Sequence, residues 1–138
     1  VKLSPNWLVT LAAAAIALPA LAVAARPAAK AEPRLAHMVF FTLKDRSPES
    51  RASFVDSCQK YLTGHPGATH VSFGTIAEDV VEAVSDRDFD VALHVIFENK
   101  DANANYQKSK RHVEFVALNK DKFAKVRVFD SYLAPEGK

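Results

Sequence analysis

The stretch Phe89-Asp90-Val91-Ala92-Leu93-His94-Val95-Ile96-Phe97 constrains this chain more than any other. Successive side chains of a strand point to opposite faces of a sheet. Phe89, Val91, Leu93, Val95 and Phe97 share one side; Asp90, Ala92, His94, Ile96 and Glu98 share the other. A solvated face would be more polar than Ala92, His94 and Ile96, so this strand needs a cover on both sides. Helices of the same chain supply one cover, and a second copy of the sheet is the simplest supply of the other. The pattern therefore predicts a homodimer with packed sheets.

The flanking segments set the order of elements. His37 to Leu43 is a short apolar, aromatic run that reads as a strand. Ser47-Pro48 opens a helix, with Ser as N-cap and Pro at the first helical position. Its apolar face is Phe54, Val55, Cys58, Tyr61 and Leu62, and Gly64 and Pro66 end it. Val71 to Ala77 alternates in part and reads as a second strand, and the acidic stretch from Glu78 to Asp88 as a mobile solvated loop. After the third strand, Asn99 or Asp101 caps a second helical region that breaks near Ser109, where the apolar spacing restarts and runs through Val113, Val116, Ala117, Leu118 and Phe123. Val126 to Leu133 is the last strand. The order β-α-β-β-α-β predicts an α+β, ferredoxin-like sandwich: a four-stranded antiparallel sheet with its helices on one face.

The chain begins differently. From Trp7 to Ala25 it is apolar apart from one Thr, Lys2 precedes the run, and no acid occurs before Glu32. A basic start, an apolar centre and the small-residue exit Ala22-Val23-Ala24 are the layout of a secretory signal peptide. The expected organisation is a signal peptide over 1–24, a Pro- and Ala-rich linker over 25–34, one folded domain over 35–133 and a short tail over 134–138. The alternative is an uncleaved membrane anchor, since about 20 apolar residues span a bilayer. Both readings place the domain outside the cytoplasm, in the periplasm or beyond the cell.

Charge and residue types narrow the chemistry. Eighteen Lys and Arg against 16 Asp and Glu give a net charge of +2, which argues against electrostatic binding of nucleic acid. A single cysteine, Cys58, excludes an internal disulfide and any multi-cysteine metal site, and its place on the apolar helix face marks it as structural. No H-E-x-x-H, phosphate-binding glycine loop or G-x-S-x-G elbow is present, so neither a metal nor a cofactor is expected. Tyr106 and His112 are the informative pair, with His37 as a third candidate. In one unbroken helix a spacing of six would turn them about 240° apart, whereas a break near Ser109 lets both face one cavity. A phenol and an imidazole in a half-buried pocket can share a proton, with the imidazole as general base.

Ala36-His37-Met38-Val39-Phe40-Phe41-Thr42-Leu43-Lys44 resembles the opening strand of the stress-responsive dimeric α/β-barrel (Dabb) family. Phe89 to Glu98, Tyr106 nine residues after Phe97, His112-Val113-Glu114-Phe115 and Val128-Phe129-Asp130-Ser131-Tyr132 also fit. The resemblance spans Leu35 to Leu133. It implies a ferredoxin-like homodimer forming a dimeric α/β barrel. Most members have no assigned reaction, but a plant member is a cofactor-free polyketide cyclase using a His–Tyr pair, and related folds include cofactor-independent monooxygenases. By resemblance, Tyr106 and His112 match that pair and His37 matches a pocket histidine on the first strand. Two positions depart: Ser109-Lys110 stand where members often carry His-Pro, and Val91 stands where the cyclase has a further pocket histidine.

The resulting expectation is an exported homodimer that binds a small apolar or aromatic molecule through His37, Tyr106 and His112. A cofactor-free lyase or cyclase, with His112 as base and Tyr106 stabilising an oxyanion, is the enzymatic alternative. A purely structural, stress-associated dimer is the third.

Overall fold

The computed structural model describes residues 32–135; the expected signal peptide and most of the expected linker lie outside them. The elements are β1 (Leu35–Leu43), α1 (Pro48–Leu62), β2 (Ala68–Thr75), β3 (Val91–Phe97), α2 (Lys100–Lys108), α3 (Lys110–Asn119), a 3-10 turn (Lys120–Lys122) and β4 (Phe123–Tyr132). The strands form one sheet in the order β2-β3-β1-β4, and every pairing is antiparallel. This is the β-α-β-β-α-β sandwich that the periodicity predicts, with its second helical region split in two.

Local chemistry accounts for the helix boundaries. Ser47 caps α1 by accepting the Ser50 N–H, with Pro48 in the first turn where its missing N–H is no loss. Asn99 caps α2 by accepting the Ala102 N–H. Gly67, at the entry to β2, has a positive φ of 77°, and a Cβ there would stand 2.5 Å from the Ala102 Cβ, so the turn and the close approach of α2 both require glycine.

One face of the sheet carries the three α-helices of the described residues. Phe41 meets Phe54 of α1 at 4.9 Å between ring centroids, Phe54 meets Phe115 of α3 at 5.7 Å, and Phe97 meets Tyr106 of α2 at 5.1 Å. Val39, Leu93, Val95, Cys58 and Leu62 complete this buried layer. Fully burying each such side chain stabilises the fold by about 1.5–3 kcal/mol. Burial pushes the Cys58 thiol up to about 12, as its structural reading requires.

Among the described residues no helix lies over the opposite face. Met38, Phe40 and Ile96 are half-buried there, and Phe129 is exposed. Phe40 is the centre of this face, with Phe89 at 5.1 Å, Phe129 at 5.8 Å and His94 at 6.2 Å between centroids.

The strand boundaries differ from the sequence reading: β1 begins at Leu35 rather than His37, and β2 runs Ala68–Thr75 rather than Val71–Ala77. β3 begins at Val91 rather than Phe89, and Phe89 packs against Phe40 on the helix-free face rather than among the helix-facing residues. The cause is Asp90, which is fully buried: its carboxylate accepts the Leu43 N–H at 2.8 Å and the side chains of Arg46 and Arg51 at 3.0 Å each. Burial raises the Asp90 pKa, but the Leu43 N–H and the two guanidinium groups outweigh it and hold the carboxyl below its usual range. Phe123 opens β4 instead of closing a helix, because the 3-10 turn redirects the chain. The acidic loop is solvated but tied down: Arg127 pairs with Asp86, Lys125 with Asp88 at 2.8 Å, and Arg51 with Glu78 at 2.6 Å.

Candidate functional site

Tyr106 ends the buried stripe of α2 and is 2% exposed. The helix stops two residues later. Ser109 adopts an extended backbone (φ −63°, ψ 145°), donates its N–H to the Tyr106 carbonyl and caps α3 by accepting the His112 N–H at 3.2 Å. This break brings the rings of Tyr106 and His112 to 4.5 Å between centroids.

Two more imidazoles surround the same phenol. His37 of β1 lies 6.2 Å from the Tyr106 ring and His65 lies 4.8 Å from it, edge-on at 88°. The three candidates from the sequence therefore converge, and His65 joins them. Tyr106's hydroxyl has no hydrogen-bond partner among the described residues, and burial holds its pKa well above the usual phenol value.

Hydrogen bonds define the rings. His112 Nδ1–H donates to the Gln107 carbonyl at 3.1 Å, which leaves Nε2 with a free lone pair in the neutral ring. Burial lowers the His112 pKa; the Gln107 carbonyl opposes this, and His37 and His65 add to it. The neutral, accepting form is thus favoured. His37 Nδ1–H donates to Asp130 at 2.7 Å, and the Gln107 amide approaches its Nε2 at 3.4 Å. His65 Nε2–H donates to the Tyr61 carbonyl at 2.9 Å.

Asp130, Gln107 and His65 were not among the residues the sequence singled out. Asp130 did leave a signal: it is the lone acid in the alternating set Val126, Val128, Asp130 and Tyr132. Its partner is visible only from the β1–β4 register, which sets His37 opposite Asp130.

Two cavities meet at Tyr106. One, of about 280 Å³, lies between the sheet and α3, with His37, Tyr106, Gln107 and His112 at one end and apolar walls that include Val39, Phe41 and Phe115. The other, of about 460 Å³, has polar side chains on its lining, among them His65, Glu98, Asp101 and Asn105. At about 280 Å³ the apolar cavity lies just below the usual range for ligand pockets, about 300–1,000 Å³, and suits a small molecule. Its chemistry is that of a hydrogen-bonding cluster at the end of an apolar chamber. Among the described residues no group of three or more His, Cys, Asp or Glu is arranged to hold a metal ion.

A family model for the stress responsive A/B barrel domain matches residues 35–133. No curated protein matches the chain in sequence. Among solved structures, a ferredoxin-like Dabb family protein from Mesorhizobium loti is 23% identical with a TM-score of 0.61, covering 77% of this chain and 100% of that one. A dimeric ferredoxin-like protein of unknown function from Thermobifida fusca is 16% identical with a TM-score of 0.62, over 74% and 92%. The hydroxynitrile lyase of Passiflora edulis is 20% identical with a TM-score of 0.60, over 79% and 100%. At these identities the likeness establishes a ferredoxin-like fold.

Proposed function

The chain belongs to the stress responsive A/B barrel domain family, and on that premise we propose that it is an exported homodimer that binds a small apolar or aromatic molecule beneath Tyr106. The observation that carries the binding reading is the Tyr106 hydroxyl: on a buried ring, without a partner among the described residues, and reachable from an apolar chamber that the His112 ring, 4.5 Å away between centroids, also lines. A phenol hydroxyl that faces an apolar chamber without a protein partner has its hydrogen-bonding capacity left for a bound molecule. The apolar face around Phe40 and the dimeric state of the Thermobifida fusca relative support the homodimer. The alanine-rich leader supports export.

The test of binding is mass spectrometry of small molecules extracted from the purified protein, beside thermal shifts across a library of apolar and aromatic compounds. A compound retained by the wild type and lost from Tyr106→Leu supports the reading; neither retention nor any shift overturns it. For the dimer, light scattering at micromolar concentration is decisive. The wild type runs as a dimer and Phe40→Glu as a monomer, whereas a monomeric wild type refutes the assembly. For export, the N-terminus of protein recovered outside the cytoplasm starts after Ala24; recovery only from the cytoplasm refutes it.

A second reading, a cofactor-free lyase or cyclase, is favoured by one observation: His112 is held as the Nδ1–H tautomer with Nε2 bare. In that reading Nε2 takes a proton from the substrate while the Tyr106 hydroxyl donates a hydrogen bond to the oxygen gaining charge. The Passiflora edulis neighbour is a lyase on the same fold. Unchanged turnover of a confirmed substrate by His112→Ala removes it.

A further inference from the structure

The apolar chamber has a second end. Lys120, the C-cap of α3, lines it together with Val126 and Val128 of β4. His112 and Lys120 are eight residues apart on α3, which separates them by about 12 Å along the helix axis. Among the described residues no Asp or Glu lines this chamber, and Lys120 is its one permanently charged lining residue.

Lys120 differs from the cations beside it. Lys122 donates to the Asn119 side chain at 3.1 Å, Lys125 pairs with Asp88 at 2.8 Å, and Arg127 pairs with Asp86. The Lys120 ammonium has no ion pair or hydrogen bond among the described residues, and the adjacent Asp121 does not pair with it. A chamber with apolar walls, a cation at one end and no carboxylate selects against cationic ligands and favours an anion at that end.

We infer that Lys120 forms an anion subsite, so that the ligand is an elongated carboxylate. Its apolar body spans the chamber, its carboxylate meets Lys120, and a hydroxyl or carbonyl oxygen meets Tyr106 and His112. This rests on the binding reading above and names the ligand class.

The experiment is calorimetric titration of the full chain at low salt with two matched pairs: 8-hydroxyoctanoate against 1,8-octanediol, and 3-(4-hydroxyphenyl)propanoate against 3-(4-hydroxyphenyl)propan-1-ol. The acid of a pair binds the wild type about fivefold more tightly than its alcohol, the scale of a partly exposed charge pair. Lys120→Met, at an exposed position, erases that preference and leaves alcohol affinity unchanged, and Lys120→Arg keeps it. Added salt narrows the gap. A lysine serving only the C-terminal dipole of α3 gives a different result: Lys120→Met lowers stability while the acid preference persists, which overturns the inference. Equal binding of acid and alcohol to the wild type overturns the Lys120 subsite alone. Failure of all four probes to bind the wild type overturns the binding reading with it.

Discussion

The Tyr106 and His112 rings stand 4.5 Å apart between centroids because Ser109 interrupts the helix between them. In a continuous helix the two side chains would diverge by about 240°. Ser109 closes α2 through its N–H and opens α3 through its side chain, so one residue places both rings.

Two substitutions at this break have opposite outcomes. Ser109→Ala removes the α3 cap and lowers stability by about 1 kcal/mol in urea denaturation. Lys110→Pro is accommodated: Lys110 is the first helical position, and Ser109 is already extended as a residue before proline must be. Its stability stays level or rises by about 0.4–1 kcal/mol. A clear loss of stability in Lys110→Pro refutes this account of the break. The family's frequent His-Pro and this chain's Ser109-Lys110 are then two solutions to one backbone requirement.

Acid should weaken the fold partly through His112. Its folded pKa lies below the unfolded value of about 6.5, so the unfolded chain binds more protons in the window between them. The His112 contribution is fully present above about pH 6.5 and is lost as pH falls through the folded pKa. Denaturation curves at stepped pH show wild-type stability falling below pH 6.5. His112→Asn has a shallower fall, and identical slopes contradict the assignment.

Asp90 is the buried anchor of the β3 entry. Asp90→Ala leaves Arg46 and Arg51 without the carboxylate they share and the Leu43 N–H without its buried acceptor. The expected loss is about 3 kcal/mol in chemical denaturation. Retained stability within about 1 kcal/mol refutes the anchoring role.

Cys58 is fully buried and its thiol is pushed up to about 12. The native protein therefore resists aromatic disulfide reagents at neutral pH, and labelling follows unfolding. Stoichiometric labelling within seconds under native conditions contradicts its place in the core.

The α1 boundaries and the split at Ser109 were legible because caps and apolar spacing act within one or two turns of chain. Ser47, Asn99 and Ser109 each cap the helix that follows. The convergence of Tyr106, His112 and His37 was also foreseeable, from the break and from the resemblance. His65 was not, since nothing within a turn of it points to α2.

The sequence by itself determined the order of elements, their caps and the two apolar faces of β3, all consequences of local periodicity. Only the tertiary structure decided that Asp130 sits opposite His37, that Asp90 turns the chain before Val91, and that Lys120 closes a chamber begun by His112. His37 and Asp130 are 93 residues apart. Which residue stands opposite which depends on strand order and register. Those follow from how all the apolar faces are buried at once, and no single segment carries that information.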